Sequence, residues 1–208
     1  AGQRFAAEQP KLVAPKEYPK SFTQAVTNYS DLFQRAVDVG IENLNKADRS
    51  ALVEAGRRVR DFGGGKISQA QQAIIDRIND VDTALNNYDL NIKLANEKAK
   101  AIPGTPEFNA LTQQEQKTAQ QSFKKLSGKE KEAARNNLAV ARESITRGLT
   151  EAQNLAPRFQ ESFTRYNLSD VVQGIGGVAG VSKLRTGLEA GAQLRGTGTL
   201  GAKLNSQV

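Results

Sequence analysis

The chain contains no cysteine, no histidine, no methionine and no tryptophan. Missing thiols remove disulfides, cysteine nucleophiles, iron–sulfur clusters and cysteine-ligated zinc. Missing imidazoles remove the commonest general base and metal ligand, together with the catalytic triads that need one. What chemistry is left would have to come from Asp, Glu, Lys, Ser or Tyr, as in carboxylate-pair or Ser–Lys enzymes, and no constellation of that kind stands out. The expectation is a non-enzymatic protein with no cofactor, no metal and no small-molecule substrate. Aromatic residues make up only 6% of the 208 positions and hydrophobic ones 38%, too few bulky anchors for a thick core. A thin core of Ala, Val, Leu and Ile suits long helices that meet along narrow seams. No segment reaches the ~18 uninterrupted apolar residues of a spanning helix, and residues 1–20 lack the apolar run of a secretory signal, so a soluble chain is expected.

Helical periodicity is abundant. Residues 1–20 carry Pro10, Pro15 and Pro19 and read as an extended arm lying on another surface. Ser21 with Gln24 reads as a capping box, and Phe22, Val26, Tyr29, Phe33, Val37, Ile41 and Leu44 then recur at intervals of three and four, predicting one helix. A shorter helix through Leu52, Val59 and Phe62 should stop at Gly63-Gly64-Gly65. Ser68 and Gln71 open the clearest pattern: Ile74, Ile78, Val81, Leu85, Tyr88, Ile92, Ala95, Ala99 and Ile102. Those spacings alternate four and three, the repeat that keeps a seam facing a partner helix, and residues 68–102 would span about 50 Å as a helix. After Pro103 to Pro106, with Thr105 as cap, a helix through Leu111, Phe123 and Leu126 is expected. Ser127 and Glu130 make a third box before a second stripe of Ala134, Leu138, Ala141, Ile145, Leu149, Ala152 and Leu155. Pro157 should kink or restart that helix, with Phe159, Phe163 and Tyr166 beyond it. Two such helices imply antiparallel packing, within one chain or between chains. Six acid-before-base pairs at i,i+4 agree with helix: Asp31/Arg35, Glu42/Lys46, Glu54/Arg58, Asp89/Lys93, Glu143/Arg147 and Glu161/Arg165.

The fold expectation is therefore all-α: an arm at 1–20, an elongated bundle with long coiled-coil-like helices at 21–166, and a glycine-rich tail at 167–208. The seam residues are Ile74, Ile78, Val81, Leu85, Tyr88, Ile92, Leu138, Ile145 and Leu149. In the tail, Gly174 to Ala179 matches G-x-G-x-x-A, but no strand–helix–strand unit surrounds it and a dinucleotide site is set aside. Gly176 with Gly180, and Gly187 with Gly191, have the spacing that lets a second helix or lipid approach closely. With Val171, Val172 and Ile175 they form the candidate oligomer or membrane contact, against the alternative of a plain linker.

A net charge of +7 favours anionic partners, nucleic acid or lipid. Arg57, Arg58, Arg60 and Lys66 are the candidate phosphate contacts, against the alternative of simple solvation. Gly63-Gly64-Gly65-Lys66 lacks the Ser or Thr directly after Lys that a P-loop needs, and reads as a hinge. Asp76 and Asp80 share a face with no second carboxylate pair to complete a metal site.

Long Ala-seamed helices rich in Gln and Asn, a proline-bearing arm and a glycine-rich apolar tail together resemble the internal virion or DNA-ejection proteins of tailed bacteriophages. The resemblance lies in style and architecture and rests on no single motif. It implies a virion protein that forms homo-oligomers and joins other virion proteins in a conduit for the genome, touching DNA through non-specific phosphate contacts and a host membrane through its tail. The alternatives are a coiled-coil adaptor whose stripe recruits a partner helix and, behind it, a carboxylate enzyme.

Overall fold

The structure, a computed structural model, describes residues 9–174, with side chains as far as residue 168. The described residues are mostly helical and contain no strand. Among the described residues six α-helices follow one another: α1 (Phe22–Val39), α2 (Lys46–Asp61), α3 (Gln69–Lys100), α4 (Pro106–Asn109), α5 (Gln113–Lys124) and α6 (Gly128–Gly174), with a 3-10 turn at Ile41–Asn43.

Local chemistry places most boundaries. Ser21 Oγ accepts from the Gln24 N–H, while the Gln24 side chain reaches back to the Lys20 N–H instead of to Ser21. Ser68 with Gln71, and Ser127 with Glu130, form full reciprocal boxes, satisfying amides that a helix start leaves open. Thr105 caps α4, with Pro106 in the first turn.

Several expectations are corrected. The first stripe does not lie on one helix: α1 ends at Val39, because Gly40 has φ 102° and turns the chain. Ile41 is still buried, so the apolar period survives the break and conceals it. Asn45 then caps α2 in a box with Asp48. The helix expected through Leu111 and Leu126 is two, since Thr112 opens α5 in a box with Glu115. Pro157 does not restart α6, which also continues past Tyr166 to Gly174, inside the segment read as tail. Of the six acid-before-base pairs, Glu54/Arg58 and Glu161/Arg165 form ion pairs, while Asp89 pairs with Arg49 across helices.

α3 and α6 pack lengthwise and antiparallel within the chain. Ala99 and Ile102 meet Leu138, Gly148 faces Tyr88 and Asn91, and the N-terminal part of α3 shares a core with Ala152, Leu155 and Phe159. On α3, Ile74, Ile78, Val81, Leu85 and Tyr88 are buried and Ile92 is half-buried. On α6, Leu138 is buried, whereas Ile145 and Leu149 are half-buried.

At the other end of this pair α1 and α2 complete the core. Gly56 of α2 lets that helix approach α3 and α1, for a Cβ there would lie 3.0 Å from Ile78 and 3.4 Å from Tyr29. Several of the few aromatics are gathered between α1 and α6: Tyr29 and Phe159 are 5.2 Å apart by ring centroid, and Phe22 meets Tyr166 edge-on at 5.3 Å. Thr23 and Tyr166 share a hydrogen bond of 2.7 Å, and Gln160 donates to Ser30 at 2.6 Å.

The arm lies on its own chain. Asp48 Oδ1 accepts the backbone N–H of Lys11 at 2.6 Å and of Leu12 at 2.9 Å, while its Oδ2 accepts from Asn45. Leu12 sinks into the main core at 2% exposure. Arg58 donates to the Pro15 carbonyl at 3.1 Å and lies over the Tyr18 ring, and the Tyr18 hydroxyl donates to Asp61 at 2.6 Å.

Candidate functional site

The three arginines of the basic cluster read from the sequence are occupied by internal partners. Arg57 pairs with Glu54 and Asp61, on its own helix. Its hydrogen bond to Glu54 holds that carboxyl below the ordinary range. Arg58 also binds Glu54 and is held by the arm. Arg60 crosses to α3, where it binds Asp82 and, at 2.9 Å, Asn79. The three guanidinium groups therefore have different directions and different tasks, and none offers a full unneutralised charge to a phosphate. Lys66, in the turn between α2 and α3, is exposed and makes no hydrogen bond or ion pair among the described residues.

A second cluster, passed over in the sequence, keeps its charge free. Lys124 and Lys125 end α5, and Lys129, Lys131 and Arg135 open α6, so five cations face only Glu130 and Glu132 over twelve positions. Glu130 is committed to the Ser127 backbone N–H, which lowers its pKa. Lys131 and Arg135, one turn apart, both lie over Phe123, at 5.7 and 5.3 Å from its centroid. Lys124, Lys125 and Lys129 are exposed and have no partner among the described residues. Phe123 thus spaces two cations on one helix face while three more project around the same corner. Such an arrangement suits a run of phosphates, each met as a point charge without reading a base. The signal was available as charge density along residues 124–135. What discounts the arginines instead is partly non-local, since Asp82 lies far from Arg60 in sequence.

Two open grooves carry no comparable chemistry. One between α3 and α6, of about 260 Å³, is lined by Asn91, Leu94, Lys98, Asn137, Val140, Ala141 and Ser144. Another, about 330 Å³, lies where Arg49, Tyr88 and Asp89 meet the α1–α2 connection. No three metal-binding side chains converge among the described residues. Asp76 accepts from Gln72 and Asp80 pairs with Arg77, each on its own helix. No helix among the described residues is long and apolar enough to cross a membrane. Of the tail candidates, Val171 and Val172 are on the last turns of α6, whereas Ile175, Gly176, Gly180, Gly187 and Gly191 lie outside the described residues.

Comparison of the sequence with protein-family models, with curated proteins and with solved structures yields no match.

Proposed function

We propose that this is a non-enzymatic structural protein of the internal virion or DNA-ejection kind, assembling with copies of itself and with other virion proteins around a phage genome. In this reading α1, α2 and the adjoining halves of α3 and α6 act as a helical bundle, and the far halves of α3 and α6 as an antiparallel coiled-coil arm. The corner of Lys124, Lys125, Lys129, Lys131 and Arg135 replaces Arg57, Arg58 and Arg60 as the contact with DNA phosphates. The observation that carries the reading is that free corner, set at the end of helices of 32 and 47 residues. A helix as long as α6 extends about 70 Å, which gives a wall and a reach and little interior. The tail, with its small-residue spacing, serves a neighbouring subunit or the host membrane.

The test is binding to duplex DNA across salt concentrations. Replacing Lys124, Lys125 and Lys129 by Gln should lower the slope of log K against log salt by about 2–3, because each lost phosphate contact removes about 0.9. Replacing Arg57 should leave that slope unchanged. Salt-independent binding, or equal loss from both sets, would defeat the assignment, and capture only by anionic vesicles would favour a lipid surface. Mass photometry of the native protein should show a high-order oligomer, and electron microscopy a ring or tube.

A partner-helix adaptor is favoured by one observation: Leu90, Leu94 and Val140 are exposed at 52%, 47% and 59%. Any such helix would dock on that outer face, since the buried stripe of α3 is already covered by α6.

A further inference from the structure

The groove along α2 is a complete receptor for an extended peptide. At one end the fully buried Asp48 takes two consecutive backbone N–H groups, and the Lys11 ammonium reaches the Asn43 carbonyl at 3.0 Å. Leu12 and Pro19 are buried, and Arg58, Asp61 and Phe62 hold the far end through backbone carbonyls and the Tyr18 ring. Every hydrogen bond and ring contact described for residues 9–19 lands between positions 43 and 62, and none lands on α1. The peptide joins the body through Lys20, whose N–H donates to Gln24 of its own α1 at 2.6 Å.

We propose that residues 9–19 are an exchangeable clasp, hinged at Lys20, in which the arm of one copy docks along α2 of a second copy. Nothing in the docked contacts depends on the covalent link, so the same bonds form in either arrangement. The tether sets the balance: a short linker gives an effective concentration on the order of millimolar, so the arm stays home in dilute solution and exchanges where subunits are packed that densely. Three prolines hold the released arm extended, which limits what it loses in entropy on docking elsewhere. This rests on the assembly reading for the place where such density occurs, but exchange itself is a property of the purified protein.

The absence of cysteine makes the experiment clean. A Lys11→Cys donor is mixed with a differently sized Asn43→Cys acceptor and bridged by a short bismaleimide. A Lys11→Cys and Lys125→Cys mixture reports random collision. Hetero-crosslinking should be at the collision level in dilute protein and well above it near ~1 mM. Leu12→Ala in the acceptor frees its groove and should raise the yield about tenfold, whereas the same change in the donor should lower it by a similar factor. Circular dichroism verifies that each variant is folded, and the unsubstituted pair stands without Leu12→Ala. Crosslinking no greater than collision at every concentration, or a Leu12→Ala effect of the same sign in both partners, overturns the clasp. The DNA-binding slope is unaffected by that failure, so the two proposals fail separately.

Discussion

Asp48 is fully buried, and burial by itself raises a carboxyl's pKa. Here the backbone N–H groups of Leu12, Asn45 and Lys11, with the Lys11 charge, outweigh that desolvation and hold it below the ordinary value. A group depressed in the folded state contributes stability above its unfolded pKa, and the contribution is lost as pH falls through the folded one. Asp48→Asn should therefore cost about 1–3 kcal/mol in urea unfolding at neutral pH. The gap from the native protein should close as pH is taken below the ordinary carboxylate range. Tyr29 poses the opposite case, for it is buried with no partner for its hydroxyl, and desolvation first and Asp82 second push its pKa well above the usual tyrosine value. An unpaired buried hydroxyl opposes folding, so Tyr29→Phe should keep or raise the urea midpoint. Tyr166→Phe, which loses the bond to Thr23, should lower the unfolding free energy by about 1 kcal/mol.

Among the elements, α6 is the one whose sequence argues against itself. Pro157 is exposed on it, lacks an N–H and faces the carbonyl four residues back. The helix persists because Leu155, Ala156 and Phe159 are buried on both sides of the proline, packing that propensity does not count. Pro157→Ala should then stabilise by about 1–3 kcal/mol, read as a higher melting temperature with unchanged helicity. A lower one would mean that the proline's geometry is needed to seat Phe159 on Tyr29. The same balance explains what was legible in advance. Reciprocal caps and the α3 stripe are local codes, so Ser68, Ser127 and the spacing from Ile74 to Ile102 could be read directly. Gly40 could not, because a positive φ leaves no trace in a hydrophobic period that continues through Ile41. Thr112 with Glu115 was a readable cap, hidden by treating Leu111 to Leu126 as one stripe. The partners of the candidate arginines were hidden by long-range pairing: cation density is visible in a sequence, but Asp82 beneath Arg60 and the arm across Arg58 appear only once α2, α3 and the arm are together.

At the scale of the whole molecule the core is unequal from end to end. The main cluster draws on the arm, α1, α2, α3 and α6, whereas the far end is sealed by Ala99, Ile102 and Leu138, with Phe123 and Ala134 half-buried beside them. Apolar burial contributes roughly 25 cal/mol per Å², so the far end has much less to resist local opening than the aromatic end. Hydrogen exchange should reveal two levels of protection, with amides around 99–102 and 134–141 exchanging faster than those around 78–85 and 152–159. Leu138→Ala sharpens the test, since it removes one of three buried side chains in the small cluster and should cost about 2–5 kcal/mol there. Faster exchange confined to the far halves of α3 and α6 is the expected result. Acceleration of Tyr29 and Phe159 amides by the same factor would mean that the two clusters open as a single unit. If that end is the proposed contact with DNA, local opening lets its five cations adjust to the spacing of the phosphates, while the aromatic end stays fixed.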